Sequence, residues 1–233
     1  MTSSARIPYK DSVFFLIFVI MYVDCHCHIL PSLDDGAGSM EESVRLARKQ
    51  VSWGYQRAIC TSHRNRLYRT TPAMVIDACD LLREELDRRG IPLELVPSME
   101  YRLVPETWPE TLEKGWLLPW EGNHILVELP ISDGTKVGNI VPEEEIRKLV
   151  AAGYQPVLAH PERYLYLTPD RYESLKEAGA LFQRNAGSIE GLYGPAVSAR
   201  ARDLAARGRY DLLGTDLHNG RYAAFFDSFG FRA

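Results

Sequence analysis

Short apolar segments that end in a histidine or a carboxylate recur along this chain. The first runs from Tyr22 into the sequence Val-Asp-Cys-His-Cys-His, where His26 and His28 stand two positions apart. Alternate side chains of a strand project from one face, so these two imidazoles project together while Cys25 and Cys27 point the other way. Neighbouring imidazoles are typical metal ligands. Solvated histidines at a polar strand end are the alternative, and an isolated His-x-His would not exclude them.

Strands and helices alternate along the rest of the chain, with turn or cap signals between them. After the first strand, the pattern predicts strands at 56–62, 92–98, 125–128, 155–159, 180–185 and 211–214. It predicts helices at 39–54, 71–90, 106–115, 142–152, 168–179 and 195–207. Regular alternation of this kind favours a parallel α/β fold in one domain.

Six of the seven predicted strands deliver a possible metal ligand at or just after their C-terminal end. These residues are His26, His28, His63, Glu100, Glu128, His160, Asp216 and His218. In a barrel of parallel strands the C-terminal ends converge on one mouth, where active sites lie. In an open sheet the outer strand ends would lie too far apart, so the ligand pattern favours a closed barrel. His124 stands at the start of its strand, so it is predicted at the opposite face.

The donor types indicate which ions and which chemistry to expect. Nitrogen and carboxylate ligands without cysteine suit zinc, manganese or iron. A carboxylate can bridge two ions, so this many ligands predicts two or three ions rather than one. Clustered ions acidify a bridging water and bind the oxygens of a phosphoryl group, which indicates hydrolysis.

Composition narrows the class of protein and its compartment. A net charge of −4 argues against a surface that wraps nucleic acid. The 4 cysteines show no spacing typical of secreted disulfide frameworks, so a reduced, cytoplasmic protein is predicted. The apolar run from Val13 to Val23 is too short to span a bilayer, although a membrane tether is the alternative. We therefore predict an N-terminal extension of doubtful status at 1–20 and a single domain at 21–233.

Several motifs together resemble a known superfamily. They are His-x-His after the first strand, Thr-Ser-His63, Glu100, Glu128, His160-Pro-Glu-Arg163-Tyr and Asp216-Leu-His218-Asn. This combination resembles the polymerase and histidinol phosphatase (PHP) superfamily over about residues 21–219. With the Asp34-Asp35-Gly36 loop it looks most similar to the bacterial manganese-dependent tyrosine phosphatases of capsule and exopolysaccharide synthesis.

The resemblance implies a distorted (β/α)7 TIM-like barrel, here with an apparently shortened C-terminus, and a centre of two or three metal ions. Mn²⁺ is the implied metal, with Fe or Zn as alternatives. The implied ligands are His26, His28, Asp35, His63, Glu100, Glu128, His160, Asp216 and His218, with Glu100 as the bridge. Arg163 would hold the phosphate. Arg221 is the candidate for a second arginine, which stands farther beyond Asp-x-His-Asn in the family.

The implied substrate is a phosphotyrosyl protein, a bacterial tyrosine kinase of polysaccharide synthesis. Membrane contact would come only through that kinase, no nucleic acid is involved, and the oligomeric state stays open.

Three alternatives remain at this point. The segment from Cys60 to Arg66 satisfies Cys-x5-Arg, the loop of thiol-based tyrosine phosphatases, but it lacks glycine and its cysteine lies within a strand. The chain could hydrolyse another phosphoester, such as histidinol phosphate or a nucleotide. It could also be a catalytically impaired metal-binding regulatory domain.

The role of Arg163 has an alternative of its own, which is a surface ion pair with Glu162 instead of a contact with phosphate.

Overall fold

Strands and helices alternate in the structure, a computed structural model that describes residues 23–233. The strands are β1 (Val23–Cys27), β2 (Arg57–Arg64), β3 (Glu94–Arg102), β4 (His124–Glu128), β5 (Gln155–Ala159), β6 (Leu181–Asn185) and β7 (Leu212–Gly214). The helices are α1 (Met40–Trp53), α2 (Pro72–Arg88), α3 (Trp108–Glu113), α4 (Pro142–Ala151), α5 (Pro169–Glu177), α6 (Pro195–Ala206) and α7 (Gly220–Ser228).

The seven strands form one parallel sheet in which each strand pairs with the next along the chain. The segment after β7 then returns to β1. The backbone N–H of Asp216 donates to the carbonyl of His26 at 2.8 Å, and that of His28 donates to the carbonyl of Leu217 at 2.9 Å. The sheet is therefore a nearly closed barrel, which confirms the predicted fold.

The seam between β1 and β7 depends on a close approach and a buried carboxylate. A Cβ built on Gly214 would lie 2.5 Å from the Cβ of His26, so only glycine fits there. Asp24 is fully buried and accepts hydrogen bonds from the backbone N–H of Thr215 at 2.8 Å and from Gln50 Nε2 at 2.6 Å. These two donors offset the cost of burying the carboxylate at the point where the barrel closes.

The inside of the barrel is divided into an apolar layer and a polar layer. Ile59, Leu126 and Val157 belong to the apolar layer, at the N-terminal side. Two residues farther along β4 the same face presents Glu128, because alternate side chains share a face. The apolar layer therefore supports the polar residues from below.

Local sequence signals set the helix boundaries near the predicted positions. Ser39 caps α1 by accepting from the backbone N–H of Glu42 at 3.2 Å, and the Glu42 carboxylate accepts from that of Gly38 at 3.1 Å. Gly54 ends α1 with a φ of 107°, a conformation that glycine adopts readily.

Two parts of the structure differ from the sequence prediction. Strands β2 and β3 continue to Arg64 and Arg102, so His63 and Glu100 lie inside their strands rather than after them. The helix α7 was not predicted. Its Phe226 ring packs on Trp53 with centroids 5.2 Å apart, and Trp53 Nε1 donates to Asp227 at 2.9 Å, so aromatic contacts with α1 stabilise it.

The predicted extension at 1–20 lies outside the described residues, and the division of the chain at residue 21 stays a prediction. Among residues 23–233, the helices lack the combination of length and apolar character that a membrane span requires.

Candidate metal centre

The predicted ligands meet at the C-terminal mouth of the barrel, and four of them form a compact first group. The Nε2 atoms of His26 and His28 are 3.0 Å apart. Each lies 3.4 Å from Glu100 Oε2, and they lie 3.3 and 3.5 Å from Asp216 Oδ1. Ligand atoms bound to one ion at about 2.1 Å are separated by roughly 3.0 to 3.4 Å. The atoms of His26, His28 and Glu100 are therefore spaced as the ligands of one cation, and Asp216 Oδ1 lies close to the same two histidines.

Two further groups adjoin the first. In the second, His160 Nε2 lies 3.2 Å from Glu100 Oε1 and 3.8 Å from Glu128 Oε1. Glu100 therefore presents Oε2 to the first group and Oε1 to the second, as a bridging ligand would.

The third group contains Asp35, whose Oδ1 lies 3.4 Å from His63 Nε2 and 3.7 Å from His218 Nε2. Asp35 is the half-exposed member, with a side chain 52% exposed. The structure thus brings all the predicted ligands together in three groups, while their role as metal ligands stays a prediction.

A buried atom of Glu100 tests whether the site suits a cation. Glu100 is fully buried, and its Oε2 makes no well-aligned hydrogen bond among the described residues, although His63 Nδ1 lies 2.8 Å from it. An unsatisfied buried acceptor costs about 1–3 kcal/mol, more when it is charged. A divalent cation held between this oxygen and the Nε2 atoms of His26 and His28 would satisfy it, so the residues fit the metal ions that the sequence predicts.

Two residues that the sequence analysis did not assign to the site orient the first histidine pair. His26 Nδ1 lies 2.9 Å from Gln183 Oε1, and His28 Nδ1 lies 2.9 Å from Asp34 Oδ2. Both partner atoms accept hydrogen bonds, so each Nδ1 is the protonated nitrogen and each Nε2 is left for a metal. Asp34 also accepts from the backbone N–H of His63 at 2.8 Å, so it fixes a predicted ligand from β2 as well.

The backbone of the Asp34 loop explains why glycine follows the two aspartates. A Cβ on Gly36 would lie 2.0 Å from the carbonyl oxygen of His28, and the backbone N–H of Ala37 donates to that oxygen at 3.0 Å. The loop therefore packs directly on the backbone of His28, which holds Asp34 against the imidazole.

Asp216 is held by three donors on its outer oxygen. Its Oδ2 accepts from Asn185 Nδ2 at 2.7 Å, from Arg163 Nη1 at 2.9 Å and from the Tyr193 hydroxyl at 3.0 Å. The other oxygen, Oδ1, faces His26 and His28. These hydrogen bonds fix the carboxylate so that one oxygen points to the metal group.

The backbone at two strand ends is left-handed, with φ of 34° at His160 and 54° at Asp216. This conformation costs residues with a side chain on the order of 1 kcal/mol. It turns both side chains into the mouth, where His160 approaches Glu100 and Asp216 approaches His26 and His28. The strain is thus located at two predicted ligands.

A cavity of about 340 Å³ lies over these groups, and two arginines line it. Arg163 stacks on the Tyr193 ring, 4.3 Å from its centroid, and Arg102 Nε donates to Glu128 Oε2 at 2.5 Å. Arg102 was not predicted as a site residue, although Arg102 follows Glu100 by two positions and so shares its strand face. Both guanidinium groups can bind phosphate oxygens.

Two other expectations from the sequence concern the ion pair of Arg163 with Glu162 and the catalytic role of Arg221. Glu162 is fully buried and accepts from Asn185 N at 2.9 Å and Ser188 Oγ at 2.7 Å, while Arg163 pairs with Asp216. The surface ion pair of Arg163 with Glu162 is therefore not formed. Arg221 is exposed at the start of α7 and lies outside the described lining of the cavity, so its catalytic role stays a prediction.

The cysteine of the Cys-x5-Arg segment lies away from this cavity. Cys60 is fully buried in β2 within the core that packs against the helices. Hydrogen bonding with Cys27 and Cys79, together with burial, raises the pKa of the Cys60 thiol well above its ordinary value. Arg66 is exposed. The segment therefore lacks an accessible thiolate.

Charge in the metal-free site shifts the pKa values of its histidines. Burial alone would lower the pKa of His28, but the Asp34 carboxylate raises it well above the ordinary value. The pKa of His26 is likewise raised, against the effect of burial, by Glu100 and Asp216. Burial, with the adjacent His28, lowers the pKa of His218 to about 4. In the metal-free site the inner histidines therefore keep their protons to a higher pH than ordinary histidines do, whereas His218 is neutral at neutral pH.

We expect divalent cations to displace these protons when they bind. A histidine with a raised pKa keeps its proton to a higher pH and must lose that proton to become a ligand, so metal affinity should rise with pH. Calorimetric titration of metal-free protein at pH 7 in two buffers of different ionisation enthalpy measures the number of protons released. Equal heats in both buffers would contradict the prediction.

Comparison with known proteins identifies the family. The family model described as "Capsular polysaccharide synthesis, CpsB/CapC" matches residues 22–224. The chain belongs to the CpsB/CapC family. Tyrosine-protein phosphatase YwqE of Bacillus subtilis is 34% identical over 200 residues, which cover 84% of this chain and 77% of the relative. Tyrosine-protein phosphatase CpsB of Streptococcus agalactiae is 25% identical over 209 residues, covering 84% and 83%.

Solved structures agree with this membership. A structure from work on YwqE from Bacillus subtilis and CpsB from Streptococcus pneumoniae, described there as unique metal-dependent tyrosine phosphatases, superposes with a TM-score of 0.75 at 32% identity. It covers 91% of this chain and 88% of that chain. The phosphotriesterase homology protein of Escherichia coli, at 13% identity and a TM-score of 0.52 over 87% and 84% of the two chains, shares the fold.

Proposed function

We propose that this member of the CpsB/CapC family is a metal-dependent phosphatase that hydrolyses phosphotyrosine on protein. The observation that carries the proposal is the position of Glu100, which faces two ligand groups below a cavity lined by Arg102 and Arg163. Relatives that cover most of this chain are named metal-dependent tyrosine phosphatases, which supports the same conclusion.

Different residues of the cavity would bind the phosphate and the phenyl ring of a phosphotyrosine. When bound, the metal ions would supply positive charge next to the phosphoryl group and a water of lowered pKa. Arg163 and Arg102 carry the charge that binds the remaining phosphate oxygens and stabilises the charge that develops on them. Ile131 and Tyr222 also line the cavity, and they offer apolar contact to the phenyl ring.

Hydrogen bonds keep this arrangement ready before substrate binds. Asp216 fixes Arg163 through a 2.9 Å ion pair, and Glu128 fixes Arg102. Gln183 and Asp34 orient His26 and His28 from behind. Because these side chains are already positioned, little reorganisation is needed as the transition state forms.

Several finer points belong to the same proposal. We propose Mn²⁺ as the resident ion, in two or three sites, with Asp35, His63 and His218 binding the outermost one. The substrate is proposed to be a bacterial tyrosine kinase of polysaccharide synthesis, encountered in the cytoplasm. Capsular polysaccharide synthesis is the process named for the family, and this supports the choice of partner.

A single assay separates this mechanism from thiol catalysis. We expect strong chelation to abolish hydrolysis of a phosphotyrosyl peptide and added Mn²⁺ to restore it. Cys60→Ser should retain at least half of the wild-type kcat/KM, because the thiol is buried away from the cavity. Loss of activity in folded Cys60→Ser, together with insensitivity to chelator, would refute the metal mechanism.

A further inference from the structure

A second cavity, which we call the basic groove, adjoins the one above the metal ligands. It has a volume of about 510 Å³, and Arg102 and Ile131 line both cavities. Its other lining includes Arg66, Leu67, Glu106 and Lys136. A substrate group bound in the first cavity can therefore continue into the groove without crossing the surface of the barrel.

Ordered loops build the walls of the basic groove. On one side Asn65 Oδ1 accepts from the backbone N–H of Leu67 at 2.8 Å and of Tyr68 at 3.0 Å, which fixes the turn after β2. On the other side the Tyr166 hydroxyl donates to the carbonyl of Pro130 at 2.8 Å, which anchors the segment after β4. The groove is thus a formed surface between two anchored loops.

The charges that face the basic groove are mostly positive. Arg66 and Lys136 are exposed, and within residues 23–233 neither lies within ion-pair distance of a carboxylate, although Asp133 near Lys136 offsets part of its charge. The neighbouring basic residues Arg64 and Arg69, by contrast, both lie within ion-pair distance of Glu110. Glu106 is the acidic residue of the lining, and Arg102 is already paired with Glu128, so Arg66 and Lys136 are the two basic groups that outnumber Glu106. The rim also carries Leu67, a leucine that is 73% exposed and suits contact with a polypeptide.

We propose that the basic groove binds the polypeptide segment next to the phosphotyrosine and selects substrates with acidic residues there. This inference rests on the proposed function and adds the sequence class of the substrate. Arg66 and Lys136 attract the acidic side chains, and Leu67 with Ile131 contacts the chain between them. Exposed pairs of this kind are each weak, so two of them together are expected to give about tenfold selectivity.

The test compares three phosphotyrosyl peptides of equal length, flanked by Asp, Ser or Lys, with p-nitrophenyl phosphate, all on the Mn²⁺-loaded full chain. We expect the wild-type kcat/KM to be about tenfold higher for the Asp peptide than for the Lys peptide, mainly through KM. The preference should shrink in 0.5 M NaCl, roughly the concentration at which exposed charges are largely screened. The double variant R66E/K136E should lower the ratio of kcat/KM for the Asp peptide to that for p-nitrophenyl phosphate about tenfold.

Two further variants control the interpretation. R48E changes an exposed residue of α1 that lines a different cavity, and it should leave that ratio unchanged. E106Q removes the acidic group of the groove and should raise the preference for the Asp peptide. Equal kcat/KM for the three peptides, or an unchanged ratio in R66E/K136E, would overturn the groove while leaving the phosphatase proposal intact. Hydrolysis of p-nitrophenyl phosphate with no turnover of any peptide would overturn both.

Discussion

Replacing Glu100 with Gln is expected to remove at least one metal ion and to lower kcat/KM by about 100-fold or more. The carboxylate presents Oε2 to His26 and His28 at 3.4 Å and Oε1 to His160 at 3.2 Å. Glutamine keeps the shape but carries no charge, and its NH2 group cannot bind a cation. Removing one preorganised hydrogen-bond donor from an active site costs roughly 100- to 1,000-fold in kcat, and the loss of a charge that faces two ligand groups should cost a similar factor.

The experiment has a control within the same strand. Glu94, the first residue of β3, is exposed and pairs with Arg57 at 2.9 Å. Glu94→Gln removes the same charge at the opposite end of the strand, so it should leave metal content and turnover close to wild type. Metal analysis of the purified proteins and kcat/KM on a phosphotyrosyl peptide are the measurements. Full metal content and normal turnover in Glu100→Gln would remove Glu100 from the proposed centre.

Replacing His28 or His160 with Ala should cost well over tenfold in kcat/KM, whereas His124→Ala should have little effect. His28 and His160 lie at the mouth, in two different ligand groups. His124 begins β4 at the other end of the barrel and stacks on Trp120 with ring centroids 5.3 Å apart. A tenfold loss corresponds to about 1.4 kcal/mol of transition-state stabilisation.

The same three variants test the architecture as well as the site. Metal content and the melting temperature should be measured with the kinetics, because His124→Ala removes a packing contact with Trp120 and can lower stability without affecting the metals. If His124→Ala lost metal as severely as His28→Ala, the assignment of strand ends to opposite faces would be wrong.

The sequence predicted the barrel because its strands end in recognisable chemistry. Six strand ends carry histidine or a carboxylate, and parallel strands in a closed barrel bring such ends together. Alternation along a strand also separated His26 and His28 from the cysteines between them. These inferences needed only the order of elements and the two-residue period, which local sequence sets.

The strand without a predicted ligand shows what such reasoning overlooked. Strand β6 places Gln183 against His26 and Asn185 against Asp216, at 2.9 and 2.7 Å. The two residues alternate on one face of a largely buried strand, which was a visible signal for a polar role. Amides are not typical metal ligands, so the pattern of histidines and carboxylates did not indicate these two residues, whose role is to orient the predicted ligands.

Loop geometry explains the remaining omissions. Asp34 and Asp35 are adjacent, yet Asp34 is buried against His28 and Asp35 faces the outer group at the cavity. The backbone dihedral angles of the loop decide which of the two carboxylates turns inward. Residue types in the sequence do not reveal these angles. The tail helix α7 was missed for a similar reason, since its position depends on aromatic contacts with α1 that lie far away in sequence.

The left-handed backbone at His160 sets stability and activity against each other. Glycine would adopt a φ of 34° without the steric conflict of a Cβ. It would also remove Nδ1 of His160, which is buried without a hydrogen-bond partner among the described residues. Against this, glycine would lose the 3.2 Å hydrogen bond between His160 Nε2 and Glu100 Oε1 and would leave a cavity in place of a buried imidazole. The strained backbone at His160 is therefore tolerated for the imidazole that it places at the mouth, as expected where selection for turnover retains a residue in spite of its strain.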